Sequence, residues 1–269
     1  MHKLQLKSFL FALILMSFFS CKNEFEKIRT SGDVDKIYKK GVQLYDKGEY
    51  SKAQSLFELV LSNFRGKEEA EQLYYKYAYT HFYLNNYLLS AYYFKSASNI
   101  FQTGSNKEEC DFMAAFSNYK LSPDYKLDQT ETLKAIDGFQ AFINIYPESE
   151  RVVECNNLID ELRKKMAHKE DEQAKLYFNI KQYQSAINSY NNLLNDYPDI
   201  TDREQLRFMI IRSYYLWAEN SFATKQADRF KLMLAKYEEF VNKYPKSKYL
   251  RNAREFAKSA KLKLKELET

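Results

Sequence analysis

Side chains able to carry out chemistry are few in this sequence, and they lie far apart. Beyond the N-terminal segment the chain holds two histidines, His81 and His168, and two cysteines, Cys110 and Cys155. No His-Glu-x-x-His, Cys-x-x-Cys or Gly-x-Ser-x-Gly sequence occurs, so the usual zinc and serine-hydrolase groups are missing. None of the six glycines lies two residues from another, which excludes the common phosphate-binding loops. We therefore expect no enzymatic activity, no metal and no cofactor.

The histidines and cysteines have structural explanations. A lone histidine on an apolar helix usually has a structural role, and His81 fits that description. Cys110 and Cys155 lie in stretches with apolar periodicity, which favours two buried, unreactive thiols. An oxidising compartment would also permit a disulfide between them.

The first twenty-one residues follow the pattern of a bacterial export signal. A basic start precedes an apolar run over residues 9–19, which is too short to span a bilayer. The run ends at Ser20 and Cys21, and a small residue followed by cysteine resembles the lipobox of bacterial lipoproteins, although Phe18 replaces the usual leucine. An ordinary cleaved secretory signal with a chance cysteine is the alternative interpretation.

A lipobox implies a defined product of processing. Residues 1–20 would be removed as the signal peptide, Cys21 would be acylated, and residues 21–33 would form a lipid-anchored linker. Three acyl chains hold a protein stably at a membrane, whereas one chain holds it only reversibly. Lys22 occupies the position at which an aspartate would signal inner-membrane retention in enteric bacteria. We therefore expect the outer membrane, with the protein on its periplasmic face.

The composition of the chain favours helices packed on helices. Glycine (6) and proline (4) are scarce, whereas Tyr (23) and Phe (20) are abundant, which is unlike an all-β domain rich in turns. The formal charge of +5 is mild, and no basic block accompanies it in the middle of the chain. Nucleic acid is therefore not an expected partner.

An internal repeat runs through the chain after the signal. Five segments carry small or apolar and aromatic residues at the same spacing, which places them on one helical stripe; they cover residues 53–64, 90–101, 135–146, 186–197 and 233–244. The last three end in Tyr-Pro, and proline cannot continue a helix. Upstream, the stripe of Tyr38, Gly41 and Tyr45 recurs 37 residues later as Tyr75, Ala78 and Phe82. Each repeat therefore contains two helices.

The connections within these helix pairs vary in length. Short turns are expected at Gly48, at Asn85-Asn86 and at Lys181-Gln182. Longer connections are expected around Ser122-Pro123-Asp124 and from Ala223 to Asp228. A last apolar stripe within residues 249–267 predicts a terminal helix that covers the fifth repeat.

The pattern has a specific resemblance. Gly41, Leu44, Gly48, Tyr50, Ala53 and Phe57 fit the small, turn and packing positions of the tetratricopeptide repeat. Five such repeats, two Tyr-Pro-x-Ser endings and a lipobox resemble the BamD/YfiO family of outer-membrane β-barrel assembly lipoproteins. The departures are Arg65 and Gln102, where later repeats have proline, and Met233, where a small residue is usual. The predicted fold is an all-α superhelical solenoid of five tetratricopeptide-like helix pairs with a C-terminal capping helix, over residues 34–269.

The resemblance also implies partners. The C-terminal repeats would dock the periplasmic domains of the BamA-type outer-membrane barrel insertase, and the N-terminal repeats would recognise unfolded outer-membrane proteins with aromatic C-terminal segments. Membrane contact would be made through the lipid anchor. A ligand- or glycan-binding envelope lipoprotein built on the same repeats is the alternative, and copurification with an insertase or with a bound sugar would separate the two.

An aromatic stripe on the first helices is the candidate substrate-peptide groove. A concave wall rich in tyrosine would suit an extended peptide whose own aromatic side chains need apolar contact. The same stripe could instead pack between neighbouring helices as core, and the sequence leaves both interpretations open. The candidate residues are Tyr38, Tyr45, Tyr75, Tyr79, Phe82, Tyr83, Phe112, Phe116 and Tyr119.

Overall fold

The computed structural model describes residues 24–67, 69–101 and 105–267, and every regular element in those ranges is helical. The elements are α1 (residues 24–29), α2 (Val34–Asp46), α3 (Tyr50–Val60), a 3-10 turn (Leu61–Phe64), α4 (Ala70–Tyr83), α5 (Tyr87–Ile100), α6 (Ser105–Leu121), α7 (Thr130–Ile145), α8 (Val152–Asn179), α9 (Tyr183–Asp196), α10 (Arg203–Glu219), α11 (Ala223–Lys243) and α12 (Leu250–Leu267). The predicted all-α fold of successive helix pairs is confirmed. The predicted signal peptide and the acylated Cys21 lie outside the described residues.

The chain divides into two compact units. The first comprises Met1–Pro123 with Gln129–Ile159, and the second comprises Asp124–Asp128 with Asp160–Thr269. In the first unit α2 packs on α3, α4 on α5 and α6 on α7, and each pair also contacts the next. In the second unit α10 packs on α9 and on α11, and α12 covers α11. This nearest-neighbour packing is typical of repeat proteins.

A short helix lies within the segment that we expect to link the lipid anchor to the first repeat. Residues 24–29 form helix α1, and its Phe25 and Ile28 pack against the core of α2–α4. That core contains Leu44, Leu56 and Leu73, which are almost wholly buried. Burying the two apolar side chains of α1 stabilises a segment whose sequence alone gives little sign of order.

The short turns share one backbone conformation. Gly48, Asn85 and Lys181 have φ angles of 75°, 61° and 63°, in the left-handed region. At the first turn the Glu49 amide donates to the Leu44 carbonyl at 2.9 Å, and equivalent bonds close the other two turns. These are the bonds of a Schellman motif, in which the left-handed residue ends the helix. Glycine adopts that conformation without strain, whereas lysine does so at a cost.

The Tyr-Pro pairs end helices as predicted. Helices α7, α9 and α11 stop at Ile145, Asp196 and Lys243, directly before the tyrosine of each pair. The expected connection from Ala223 to Asp228 is wrong, because α11 already begins at Ala223. Alanine, lysine and glutamine in that stretch are good helix formers, and the break falls at residues 220–222 instead.

Small residues allow the close approach of paired helices. A Cβ atom at Gly41 would lie 2.7 Å from the Phe57 ring, so α2 and α3 could not approach as they do with any larger residue there. Gly138 of α7 meets Ala115 of α6 in the same way, at 2.8 Å. The packing role predicted for Gly41 follows from this geometry.

Candidate protein-binding site

Most of the candidate groove residues form one network of ring contacts in the first unit, which we call the aromatic ladder. Its rings lie within 4.3–6.1 Å of a neighbour, in stacked, tilted or edge-on contacts. Its members are Tyr45, Tyr50, Tyr75, Tyr79, Phe82, Tyr83, Phe112, Phe116 and Tyr119. Such pairs each add to stability beyond the apolar area they bury.

The ladder is continuous from the first repeat to the third. Tyr50 stacks on Tyr83 at 4.3 Å, and Tyr83 stacks on Tyr79 at 5.6 Å. Phe82 lies 6.1 Å from Tyr83 and 6.0 Å from Phe116, which joins the second repeat to the third. The aromatic stripes of α2, α4 and α6 therefore belong to one contact network, as their spacing in the sequence suggests.

One candidate residue lies outside the ladder, and another lies within it but is buried. Tyr38 is half-buried and packs against Phe64, with ring centroids 4.9 Å apart, outside the ladder. Phe112 is only 2% exposed and lies between the rings of Phe139 and Phe142. Phe112 therefore supports the ladder from inside the unit and offers no surface in the free protein.

The accessible part of the ladder centres on Tyr83. Its side chain is 46% exposed, whereas Tyr45, Tyr75 and Tyr79 are partly buried. Tyr50, which stacks on Tyr83, was missed in the sequence because it begins the second helix of its repeat and does not belong to the first-helix stripe. The recurrence of an aromatic residue at this place, as Tyr87 and Tyr183, is the signal that could have found it.

A series of contacts between polar side chains supports the ladder. The Tyr79 hydroxyl donates to Glu109 Oε1, and Glu109 Oε2 accepts a bond of 2.5 Å from Arg151 Nη2. The Arg151 guanidinium in turn lies 4.1 Å from the Phe112 ring centroid. Burial, and then the bond to Glu109, raise the pKa of Tyr79 far above its usual range. This tyrosine therefore stays neutral and acts as a fixed donor.

The equivalent positions in the second unit carry charge. Sequence spacing aligns Tyr75, Tyr79 and Phe82 of α4 with Asp171, Lys175 and Phe178 of α8, and with Phe208, Arg212 and Tyr215 of α10. Lys175 Nζ lies 2.7 Å from Asp171 and 2.8 Å from Glu172. The exposed Arg212 guanidinium lies 4.8 Å from the Phe178 ring centroid. On α8 two of the three positions are therefore charged, and we call Asp171 and Lys175 the charged wall, whereas α10 keeps two aromatic residues and one charge, Arg212.

A buried hydroxyl lies beside this charged wall. Tyr190 is 1% exposed, and its oxygen has no hydrogen-bond partner among the described residues. Burial, and then the charge of Asp171, raise the pKa of Tyr190 to about 12. An unpaired buried hydroxyl costs stability, since it has lost water without gaining a partner.

His81 and the two cysteines are buried in the way that structural residues are. His81 is 3% exposed, contacts Gln54 at 2.9 Å and packs on Tyr77 and Tyr93, and burial lowers its pKa. The thiols of Cys110 and Cys155 are buried and unpaired with each other. Burial raises their pKa values to about 12 and about 11, which suppresses the reactive thiolate.

Within the described ranges, no group of three or more histidine, cysteine and carboxylate side chains is arranged to hold a metal ion. Among the same residues, none of the helices combines the length and the apolarity needed to cross a bilayer.

The family model described as "YfiO: Outer membrane lipoprotein" matches residues 30–230, which is most of the chain. The chain belongs to the YfiO family. The outer membrane protein assembly factor BamD of Rickettsia prowazekii (strain Madrid E) is 22% identical over 205 residues, covering 76% of this chain and 82% of that protein. A putative BamD of Aquifex aeolicus (strain VF5) is 26% identical over 213 residues, covering 78% of this chain and 69% of that protein.

Among solved structures, the tetratricopeptide TPR2AB domain of yeast Sti1 covers 85% of this YfiO-family chain and 98% of its own length, with a TM-score of 0.39 and 13% identity. A likeness at that TM-score adds nothing about function. The predicted membership of the BamD/YfiO family is confirmed by the family model and the two relatives.

Proposed function

We propose that this chain is a lipoprotein of the outer-membrane β-barrel assembly machine, anchored through Cys21 on the periplasmic face. In this role it scaffolds the barrel insertase and binds unfolded barrel proteins through the aromatic ladder. The family match and two relatives named as outer membrane protein assembly factors support the general assignment. The ladder supports the assignment of substrate binding to the first unit.

The observation that carries the substrate site is the partial exposure of a large, braced set of rings. Tyr83 is 46% exposed, stacks on Tyr50 and Tyr79, and rests on a network tied to Glu109 and Arg151. Rigid aromatic side chains bind at low entropic cost, because little motion is lost when a partner docks. An extended peptide with aromatic side chains would add its rings to the exposed end of the ladder.

The substrate site is tested with a synthetic C-terminal peptide of an outer-membrane barrel protein that ends in phenylalanine. Tyr83→Ala removes the exposed ring and should weaken peptide binding by about 1 kcal/mol or more, as the loss of an aromatic anchor does. Fluorescence anisotropy with a labelled peptide measures the change. The Tm of the variant should fall little, because Tyr83 is half-exposed.

Tyr92→Ala is the matched control. Tyr92 is 63% exposed on α5, and its ring contacts Tyr93 and none of the ladder. This variant should bind the peptide as the parent chain does. Equal binding by the parent and the Tyr83→Ala variant would contradict a substrate site on the ladder and leave the scaffold role alone.

The scaffold role is tested separately, by purifying the native protein from membranes and identifying its partners by mass spectrometry. Recovery of a barrel insertase supports the assembly role, whereas recovery of a bound sugar and no insertase would favour the alternative ligand-binding lipoprotein. The Cys21→Ser variant should carry no acyl chains and remain an unlipidated precursor, uncleaved or soluble, and fractionation with intact-mass measurement tests this. Wild-type chain in the soluble fraction with no acyl mass would contradict the lipid anchor.

A further inference from the structure

The three Tyr-Pro endings can be compared residue by residue, and we call residues 146–151, 197–202 and 244–249 the first, second and third corners. At the first corner Ser149 Oγ donates to Glu108 Oε1 of α6 at 2.5 Å. Two residues on, Arg151 pairs with Glu109 and covers the Phe112 ring. These contacts fill the space between the first corner and α6, the first helix of the same repeat.

The third corner repeats this arrangement in the second unit. Ser247 Oγ donates to Glu204 of α10, and Tyr249 donates through its hydroxyl to Gln205 Oε1 at 3.1 Å. The Tyr249 ring stacks on Phe208 at 4.9 Å, as Arg151 covers Phe112 at the first corner. A serine, a glutamate and a covered ring therefore recur at the same repeat positions.

The second corner lacks every one of these residues. Ile200 stands in place of the serine and Asp202 in place of Arg151. On α8, the spacing of the repeat puts Ala167, His168 and Asp171 where α6 has Glu108, Glu109 and Phe112. The corner is held differently, by Arg203, which donates to the Pro198 carbonyl at 2.7 Å.

A cavity of about 450 Å³ lies at the second corner, where these different residues leave space. It is lined by residues of α8 and of the corner. Ala167, Ile200 and the Tyr197 ring give it an apolar part, and Ala167 is 8% exposed. The cavity lies wholly within the second unit. A space of this size with an apolar wall and polar groups at its mouth has the usual form of a binding pocket.

The charge around the cavity is mainly negative. Four carboxylates line it, on Asp160, Asp171, Asp199 and Asp202. Asp171 already pairs with Lys175 at 2.7 Å, which leaves the three carboxylates of Asp160, Asp199 and Asp202. Arg163 and Lys164 also line the cavity, so the remaining formal charge of its lining is negative and favours a cation. The Arg163 guanidinium is already engaged, since it donates to the Asp196 carbonyl at 3.1 Å and lies 5.5 Å from the Tyr197 ring centroid.

We propose that this cavity is a docking pocket for a basic side chain, arginine or lysine, of a partner polypeptide. The apolar wall of Ala167, Ile200 and Tyr197 suits the aliphatic stem of such a side chain. The carboxylates of Asp199 and Asp202 at the mouth would pair with its charged end. This pocket is separate from the aromatic ladder and goes beyond the function proposed above, since it needs neither an insertase nor a barrel substrate.

The test uses the chain as purified and three short blocked peptides, Gly-Gly-X-Gly-Gly, with arginine, lysine or the neutral isostere citrulline at X. Nuclear magnetic resonance titration, which detects weak binding, should show resonances of Ala167 and Ile200 shifting with the arginine peptide. Binding of the citrulline peptide should be weaker by about fivefold or more, as expected for the loss of a partly exposed ion pair. Equal shifts with arginine and citrulline would overturn the proposal.

Two variants locate the binding. The double variant Asp199→Asn with Asp202→Asn should lower the affinity for the arginine peptide by about fivefold, because both carboxylates at the mouth lose their charge. Asp196→Asn is the matched control, since it removes a carboxylate from the adjacent helix end that does not line the cavity. An equal loss in the control would mean that only general attraction is measured, and the pocket would be rejected.

A second double variant closes the cavity without removing charge from its mouth. Ala167→Glu with Ile200→Ser restores the glutamate and serine that tie the first and third corners. This variant should lose binding of the arginine peptide while keeping its helical circular dichroism spectrum. Undiminished binding by the folded variant would contradict the pocket, and the asparagine variant decides the question if this one does not fold.

Discussion

The first helix of each repeat follows the same backbone pattern in both units, but the side chains on its surface differ between the units. Tyr75, Tyr79 and Phe82 in the first unit correspond to Asp171, Lys175 and Phe178 in the second. The small residue that lets paired helices approach is kept in both of these helices, as Ala78 and Ala174. Residues at these positions therefore vary while the helix pair is kept, so an aromatic surface and a charged surface can form on repeats of the same fold.

The largest expected effect is on stability, and it compares the packed rings of the aromatic ladder with the partly exposed charged wall. Tyr79→Ala should lower the free energy of unfolding by about 2–4 kcal/mol, because its ring packs edge-on against the buried Phe94 at 4.8 Å. Lys175→Ala, at the same repeat position, should cost less than about 1 kcal/mol, since it breaks only partly exposed ion pairs. Urea denaturation measures both. Equal losses would remove the distinction between the walls.

The next effect concerns the hydroxyl beside the charged wall. Tyr190→Phe should leave stability unchanged or raise it by about 1–2 kcal/mol, because a buried hydroxyl without a partner is costly. Thermal unfolding of the variant and of the parent chain checks this. Phe occurs at the equivalent position of the first unit as Phe57, Phe94 and Phe139, so the ring itself fits. A marked fall in Tm would mean that the hydroxyl has a partner after all.

A smaller effect concerns the turns. Lys181→Gly should stabilise the chain by about 0.5–1 kcal/mol, because the strain of a left-handed lysine outweighs the added freedom of the unfolded chain. Gly48→Lys, the reverse change at the equivalent turn, should destabilise by about 1 kcal/mol. The two free energies are measured by denaturation with urea, and changes of the same sign would contradict the shared turn geometry.

The smallest effect is a pH dependence that belongs to the first unit. Burial holds the pKa of His81 below its usual 6.5, so the unfolded chain takes up a proton at higher pH than the folded one. The stability from neutral His81 is complete above pH 6.5 and is lost as pH falls through that value toward the folded pKa. His81→Gln should flatten this part of the curve of unfolding free energy against pH. An unchanged curve would assign the dependence to other groups.

The repeats, their turns and their helix ends could be predicted, because each depends on local sequence. Gly41 at a close approach, Gly48 at a left-handed turn and the helix end before Pro147 each follow from one residue type and its backbone demands. Helix α1 could not be predicted, because its order comes from contacts with a core formed later in the sequence.

The division of the aromatic stripe into exposed and buried rings also could not be predicted. Phe112 and Tyr83 belong to one stripe, yet one is 2% exposed and the other 46%, since exposure depends on which neighbouring helix covers each ring. The pairing of Glu109 with Arg151 spans 42 residues and was likewise hidden. The recurrence of Glu108 with Ser149 as Glu204 with Ser247 was a signal in the sequence that could have predicted the corner ties.

The way α12 closes the second unit has a consequence for the lifetime of the protein. Its fully buried residues are Leu250 and three alanines, and Phe256 and Leu264 pack partly buried against the same core, while its other face is rich in lysine and arginine. We expect this helix to fray early, because its fully buried side chains are mostly small. Fraying would offer basic cleavage sites to trypsin-like proteases and uncover Phe208 and Tyr215. Degradation and self-association would then begin at this end of the chain.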